Sequence, residues 1–223
     1  MTRFKAVIFH LLIMNALLAQ QQDFHTWYNV TIKGELFKNV SYEIEPELRL
    51  FDNSGRLGSV LADIKLFKPI IKKNGIGIIY RYQTDFYNPD YNARIHRWGV
   101  FTRLRKKIGK LKCSYRAQLL AEYENYKTTR NGMVPQMEHR HKLAAKWEGK
   151  NWIVNPGMGV EYFFSIGSFD NHGKWKRRIT LSIEHELTKN TSLLLAYKRH
   201  NKFNVSDPNV VNILLMGIEF KIK

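Results

Sequence analysis

Residues 41–50 read Ser-Tyr-Glu-Ile-Glu-Pro-Glu-Leu-Arg-Leu, and this strict alternation constrains the fold more than any other segment. Strand side chains alternate between two faces with a period of two residues. Tyr42 and Ile44 therefore share an apolar face, whereas Glu43 and Glu45 share a charged one. The same contrast recurs along almost the whole chain. A closed barrel with lipid outside and a polar interior is the architecture that fits it.

The recurring alternation defines eleven candidate strands. Bacterial single-chain barrels have an even number of strands, so this count conflicts with the barrel interpretation. Either residues 24–36 are not part of the barrel, which gives ten strands, or two strands have been merged, which gives twelve. The sequence alone leaves both alternatives open.

The connections between candidate strands alternate between short and long. Tight turns are predicted at residues 72–75, 109–110, 149–151 and 189–190, with longer connections between them. Outer-membrane barrels show the same asymmetry, with short periplasmic turns and longer external loops. A soluble β-sandwich, which would bury the apolar face, is the alternative that alternation alone does not exclude. Strand length and loop asymmetry favour an all-β, antiparallel transmembrane (outer-membrane) β-barrel of about 10–12 strands.

The first residues resemble a secretory signal. Arg3 and Lys5 precede the apolar residues 6–18, and Ala19 occupies a suitable cleavage position. An N-terminal membrane anchor is the alternative, but the apolar run is shorter than the ~20 residues that span a bilayer. We therefore predict a cleaved signal peptide over residues 1–20, a single barrel domain over residues 21–223, and localisation in the outer membrane.

Composition restricts the partners. The chain has 13% aromatic residues and a formal net charge of +17. Aromatic residues form girdles at both interfaces of membrane barrels. A basic surface attracts polyanions, and for an exported chain we expect the lipid bilayer and lipopolysaccharide phosphates as counterparts rather than nucleic acid. The single cysteine, Cys113, excludes an internal disulfide.

Several segments carry a resemblance to a known family. They are residues 22–27 (Gln-Asp-Phe-His-Thr-Trp), residues 45–53, Tyr80-Arg81-Tyr82, His96-Arg97-Trp98, residues 176–179 and residues 216–220. With these segments the chain resembles bacterial outer-membrane proteins catalogued as domain-of-unknown-function family 2490, over the whole mature chain. The resemblance implies a membrane β-barrel of a Gram-negative envelope and no established activity. Barrel-assembly signals often end on an aromatic residue, so we expect Phe220, close to the C-terminus, to meet the barrel-assembly machinery.

The charged face supplies the candidate functional residues. We predict a lumen charge network formed by Glu43, Glu45, Glu47, Arg49, Arg81, Arg97, Arg103, Arg116, Glu122, Arg140, Lys142, Glu161, Arg178 and Glu184. In a barrel of this size long side chains reach far across the lumen, whereas a wide aqueous channel needs about 16 strands. One interpretation is a packed set of ion pairs in a largely filled lumen. The other is a narrow passage with an electrostatic filter for anions or other small solutes.

Histidine chemistry is the remaining possibility. His96, His139, His141, His172 and His200 lie near predicted external strand ends, together with Thr128, Thr129 and Ser168. Their spacing matches no nucleophile motif, and the His139/His141 pair has no third metal ligand at a defined position. We therefore predict a protein that is not an enzyme and that uses no cofactor and no metal. A barrel enzyme that modifies envelope lipids remains the alternative.

Overall fold

A computed structural model describes residues 22–88, 91–125, 135–149, 152–166, 175–204 and 209–222 of the chain. The predicted signal peptide lies outside these residues. The strands are β1 (Gln22–Phe37), β2 (Val40–Phe51), β3 (Arg56–Ile71), β4 (Asn74–Asn88), β5 (Tyr91–Ile108), β6 (Leu111–Glu124), β7 (Gln136–Trp147), β8 (Asn155–Ile166), β9 (Trp175–Glu186), β10 (Thr191–Phe203) and β11 (Val210–Lys221). Within the described ranges, no helix is long and apolar enough to cross a membrane.

The strands form one closed barrel in which each strand pairs with its neighbours in the sequence, and β1 pairs with β11. Consecutive strands are antiparallel, but β1 and β11 are parallel, in register from Gln22 opposite Val210 to Lys33 opposite Lys221. The described residues thus form a barrel of eleven strands, which lies within the predicted range of about 10–12 but equals neither of the even numbers, ten and twelve. Residues 24–36 belong to the barrel. An odd number closes because the first and last strands run in the same direction and pair side by side.

The two ends of the barrel differ in their connections. At the short-turn end, residues 38–39, 72–73, 109–110, 148–154 and 187–190 join the strands. At the long-loop end, residues 52–55, 89–90, 125–135, 167–174 and 204–209 join them. Residues 150 and 151 of the tight turn predicted at residues 149–151 lie outside the described residues; the whole connection covers residues 148–154, and within it the Trp152 amide donates a hydrogen bond of 3.3 Å to the Gly149 carbonyl. Strand β1 begins at the long-loop end and β11 finishes at the short-turn end, as the parallel pairing requires.

Short turns are possible here because single residues adopt left-handed backbone angles. Gly109 has a φ of 58°, which glycine adopts without strain because it has no Cβ. Lys72 has φ of 54° in the turn between β3 and β4. The Asn-Gly pair, Asn74 and Gly75, lies just after this turn, where Asn74 Oδ1 accepts a hydrogen bond of 2.6 Å from the Arg105 amide. Asn74 thus ties the turn to the next strand instead of forming its centre.

The outward face of the wall is a continuous apolar surface. Ile64, Trp98, Leu181 and Leu195 are 44%, 56%, 53% and 42% exposed, respectively. In a protein surrounded by water such a surface would be unusually large and contiguous, whereas lipid is its natural solvent. Trp175 and Phe203 stack with ring centroids 3.9 Å apart near the long-loop end, as an aromatic girdle requires. The predicted transmembrane β-barrel is confirmed, and the β-sandwich alternative is excluded.

The inward face is not uniformly polar. One apolar cluster contains Trp27, Ala196, Val211, Ile213 and Leu215. A second cluster contains Phe67, Ile79, Phe101 and Leu120. Both occupy inward positions among the charged residues, so parts of the lumen wall pack like the core of a soluble protein.

Candidate functional site

The candidate site is the lumen, where the charged side chains of many strands meet. The strand register places all the residues of the predicted network on inward positions. They are Glu43, Glu45, Glu47 and Arg49 on β2, Arg81 on β4, Arg97 and Arg103 on β5, Arg116 and Glu122 on β6, Arg140 and Lys142 on β7, Glu161 on β8, and Arg178 and Glu184 on β9. They divide into several local groups.

The acidic face of β2 is neutralised mainly by one lysine of β3. Lys65 Nζ lies 2.6 Å from Glu43 Oε1 and 2.8 Å from Glu45 Oε2. Because Glu43 lies directly opposite Lys65, the pairing follows from the register of the hairpin. Asn29 of β1 donates a hydrogen bond of 2.9 Å to the second oxygen of Glu45. Glu43 and Glu45 are therefore structural partners of neighbouring strands.

A second group crosses β3 to β6 and has an acidic residue at each end and two arginines between them. Asp63, Arg81, Arg97 and Glu122 are successive register neighbours on these four strands. Arg81 binds Asp63 in a bidentate manner, with Nε–Oδ1 of 2.6 Å and N–Oδ2 of 2.7 Å. Arg97 Nε donates to Glu122 Oε2 at 2.7 Å. Opposite charges that face each other across strands stabilise the wall, and charge-assisted bidentate pairs are the strongest of this kind.

Trp27 of β1 occupies the lumen between three cationic side chains. The Arg49 guanidinium carbon lies 4.0 Å, Lys198 Nζ 4.7 Å and the Arg178 guanidinium carbon 5.3 Å from the ring centroid. These cations come from β2, which neighbours β1, and from β10 and β9, which follow β11. The indole therefore joins strands on both sides of the parallel β1–β11 pair, which we call the seam. Arg49 Nε also contacts Glu47 Oε1 at 2.6 Å.

Trp27 is the central lumen residue that the sequence analysis missed. The signal was present, because Asp23, His25 and Asn29 share its strand face and are polar. Lys33 continues this face and contacts Glu219 Oε2 of β11 at 2.6 Å. The alternation on β1 could therefore have identified Trp27 as an inward residue in spite of its apolar ring.

A third group is a row of neighbours in which basic residues predominate. We call Arg103, Arg116, Lys142, Glu161 and Arg178 the basic row, since each lies directly opposite the next on β5 to β9. Glu161 is its single acid and is 5% exposed. Its carboxylate lies 3.4 Å from an Arg116 nitrogen and 3.6 Å from an Arg178 nitrogen. The Nε atoms of both arginines are buried and have no hydrogen-bond partner.

The remaining ion pairs line the two mouths of the barrel. At the short-turn end, Lys146 Nζ contacts Glu184 Oε1 at 2.9 Å, and Lys112 Nζ contacts Glu148 Oε1 at 2.5 Å. The hydrogen bond from Lys112 holds the pKa of Glu148 below its ordinary value. Towards the long-loop end, Glu138 pairs with Arg140 on its own strand. Within the predicted network, Glu184 thus lies towards the short-turn end and Arg140 towards the long-loop end.

The described histidines are divided between the two faces of the wall. His139 and His141 lie on the outward face of β7 with ring centroids 4.2 Å apart, and His141 Nδ1 is 2.6 Å from the Tyr115 hydroxyl. His200 faces the lumen instead and stacks on Phe163. Among the residues with described structure, no three His, Cys, Asp or Glu side chains are grouped closely enough to hold a metal. His172, Thr128, Thr129 and Ser168 lie outside the described residues.

Comparisons with known proteins identify a family but no activity. A family model with the description "Protein of unknown function (DUF2490)" matches residues 24–212. No protein of curated function matches the chain.

Several solved structures are similar to the chain at low sequence identity. One is a loop L8 deletion mutant of OmpT, an outer membrane protein of Vibrio cholerae, with 8% identity and a TM-score of 0.43, covering 77% of this chain and 60% of that one. An anion-selective porin from Comamonas acidovorans has 11% identity and a TM-score of 0.39, covering 81% and 55%. OccAB4 of Acinetobacter baumannii has 10% identity and a TM-score of 0.37, covering 76% and 50%. The chain aligns with no more than 60% of the length of these three proteins.

Proposed function

Because the chain belongs to the DUF2490 family of proteins of unknown function, its own geometry must indicate its role, and we propose an outer-membrane barrel of structural or narrow-pore type. Its lumen is largely filled by its own side chains. It carries no enzymatic activity.

The observation that supports this proposal is contact between distant parts of the lumen wall. Trp27 on β1 packs beneath Arg178 on β9, which is three strands away around the barrel. The same Arg178 guanidinium carbon lies 4.9 Å from the ring centroid of Phe163 on β8, so one side chain contacts both sides of this gap. A wide, permanently open channel would separate these groups by water. About 16 strands are needed for such a channel, and this barrel has eleven.

Single-channel conductance in planar lipid bilayers tests the proposal. We expect the inserted wild-type protein to show no steady open-channel current. Trp27→Ala removes the ring that bridges the seam and is expected to produce measurable current. Tyr28→Ala, which truncates the adjacent outward residue, serves as the matched control and should remain silent. A large, steady current through the wild-type protein would overturn the filled-lumen proposal.

The location and the partners are part of the same proposal. The outer-facing apolar belt supports residence in the outer membrane among phospholipid and lipopolysaccharide, after export and insertion by the barrel-assembly machinery. Cell fractionation combined with heat-modifiable gel mobility tests this location. A maleimide reagent that cannot cross membranes tests orientation, in a Cys113→Ser background. We expect a cysteine introduced at Asn53, at the long-loop end, to react on intact cells, and one at Gly109 to react only after lysis.

The enzyme alternative has a direct test. Alanine at both His139 and His141 is expected to leave the structure of lipid A unchanged in mass spectra of membrane extracts. Overexpression of the wild-type protein is expected to leave it unchanged as well. A modified lipid that appears with the wild-type protein and disappears with the double variant would establish an enzyme.

A further inference from the structure

The charges on the outward face of the wall all have the same sign. On the outward faces of the described strands every charged side chain is basic, namely Lys68, Arg94, Lys106, Arg177 and Arg199. The two lysines lie towards the short-turn end and the three arginines towards the long-loop end. A lipid-facing charge costs least near the interfaces of the bilayer. Since no acid shares this face, the negative partners must come from the membrane.

Two of these arginines lie close together. Arg177 of β9 is directly opposite Asn201 of β10, and Arg199 is two residues away along β10 on the same face. Diagonal neighbours of this kind are about 7–8 Å apart, within reach of long side chains. Their partners in register are all uncharged, namely Tyr162, Ile179, Asn201 and Asn212. We call Arg177 and Arg199 the arginine pair.

The polar atoms at the arginine pair are incompletely used. Arg177 Nε and Asn201 Oδ1 are buried, and neither has a hydrogen-bond partner within the described part of the chain. In native proteins such atoms call for an unseen partner. The Arg177 guanidinium carbon lies 5.5 Å from the ring centroid of Phe203, which stacks on Trp175 in the girdle at the long-loop end. The guanidinium group thus lies at the level where lipid headgroups begin.

An apolar groove lies next to the arginine pair, on its short-turn side. The groove has a volume of about 620 Å³, and Leu181, Tyr197 and Leu214 line it where it approaches the pair. Tyr197 is two residues from Arg199 on the same face of β10. The groove continues along the wall to Leu111 on β6. It crosses six strands, a length of roughly 24 Å at the usual strand spacing, which accommodates extended acyl chains.

We propose that the arginine pair binds a phosphate monoester of lipid A, the phosphorylated glycolipid of lipopolysaccharide, and that the groove holds its acyl chains. The site rests on the proposed outer-membrane location, in which the long-loop end faces the outside. It adds a defined lipid-binding site to that location and does not depend on the state of the lumen.

The chemistry of the arginine pair favours a phosphate monoester over other membrane anions. A monoester carries up to two negative charges and three strong acceptor oxygens. Two guanidinium groups match this charge, and their planar N–H donors suit several oxygens of one phosphate. The phosphodiester of phosphatidylglycerol has a single negative charge and two free oxygens. Inorganic phosphate matches the charge but leaves the groove empty, so lipid A is the ligand that uses both parts of the site.

Native mass spectrometry of the refolded full-length protein in detergent tests the proposal. Diphosphoryl lipid A is titrated against dephosphorylated lipid A and phosphatidylglycerol, and inorganic phosphate is added as a competitor. We expect the wild-type protein to prefer diphosphoryl lipid A. Arg177→Met/Arg199→Met should weaken this binding about tenfold or more, since hydrogen bonds to a charged group are lost. Lys68→Met/Lys106→Met removes the same charge from the opposite end of the outward face and should bind like the wild type.

A steric variant tests the groove without changing any charge. Leu195→Trp places a larger ring in the groove, which Leu195 helps to line, and is expected to weaken binding of diphosphoryl lipid A. Leu48→Trp adds the same ring to the outward face of β2, away from the groove, and should leave binding unchanged. Heat-modifiable mobility and circular dichroism verify that each variant is folded.

Several results would overturn the proposal. Equal binding of diphosphoryl and dephosphorylated lipid A would show that the phosphate is not recognised. Equal binding of phosphatidylglycerol would show a general anionic-lipid surface, and displacement of lipid A by an equal concentration of inorganic phosphate would show a site for the free anion. A folded double-arginine variant that binds as tightly as the double-lysine variant would exclude the arginine pair.

The lipid site and the proposed function can fail independently. If the double-arginine variant does not fold, the comparison of lipids and the Leu195→Trp/Leu48→Trp pair decide by themselves. Conductance tests the lumen, and labelling of a cysteine at Asn53 tests the orientation. Neither measurement involves lipid A, and binding in detergent requires neither result.

Discussion

Removal of Arg81 should destabilise the barrel far more than removal of an exposed arginine with a similar partner. Asp63 is 4% exposed and accepts two hydrogen bonds from Arg81, of 2.6 and 2.7 Å. Arg81→Leu leaves this carboxylate in the lumen without its main partner. Water cannot readily replace the guanidinium at a site with so little exposure.

The expected magnitude follows from the geometry. Two unit charges about 4 Å apart interact by about 4 kcal/mol at an effective dielectric constant of about 20. Breaking a buried ion pair by removing one partner costs about 3–5 kcal/mol. Lys65 Nζ remains 3.9 Å from Asp63 and offsets part of the loss. We therefore expect Arg81→Leu to lower the free energy of unfolding by about 3 kcal/mol, at the lower end of that range.

Equilibrium unfolding in urea, followed by tryptophan fluorescence of the protein in lipid vesicles, measures the loss. Arg56→Leu is the control, because Arg56 contacts Asp52 at 2.5 Å while the two side chains are 42% and 59% exposed. That change should cost less than about 1 kcal/mol. The double variant Asp63→Leu/Arg81→Leu should regain most of the stability, since no uncompensated charge remains. Equal losses for Arg81→Leu and Arg56→Leu would refute the reasoning.

Three further perturbations test the apolar outward face, the ion pairs at the short-turn end, and the packing between β1 and β11. Leu195→Arg on the outward face of β10 should cost about 2–4 kcal/mol in vesicles, whereas Ile108→Arg at the end of β5 should cost about 1 kcal/mol or less; equal costs would contradict the belt. Glu148 has a pKa lowered by Lys112, so its contribution to stability is present above the pH where an unfolded glutamate titrates and is lost as the pH falls through its folded pKa. Unfolding from pH 7 to 3 should therefore be less pH-dependent in Glu148→Gln than in the wild type. Ile213→Ala, at a fully buried lumen position, should cost about 2–5 kcal/mol by urea unfolding, and a loss below 1 kcal/mol would show that the seam cluster is not packed.

The face on which each strand residue lies could be predicted from the sequence, because the two-residue alternation of side chains depends only on the strand itself. Glu43 and Glu45 point inward for the same reason that Ile44 points outward, and no knowledge of neighbouring strands is needed. The same local rule assigned Arg178 and Lys142 to the lumen. Which inward residues meet was beyond this rule, since Trp27 and Arg178 are brought together only by closure of the barrel.

The number of strands could not be settled from the sequence for a related reason. Alternation over residues 24–36 predicts a strand, but it does not say whether that strand pairs with β11 in a parallel or antiparallel manner. The general preference of bacterial barrels for even numbers then favoured ten or twelve. Likewise, Ile79 and Phe101 occupy the polar face as isolated apolar residues. Their packing against each other arises from neighbouring strands in register, which a single strand pattern does not contain.

The apolar cluster that contains Trp27 lies at the parallel pair of β1 and β11, and its packing compensates for the weaker pairing there. Parallel pairing is slightly less stable per residue than antiparallel pairing because its hydrogen bonds are slanted. Trp27 on β1 and Ile213 and Leu215 on β11 pack across this pair, with Ala196 on β10 beside them. Buried apolar area contributes about 25 cal/mol per Å² and requires no partner of opposite charge. At the seam this apolar packing adds to the Lys33–Glu219 ion pair and stabilises the contact between the first and the last strand.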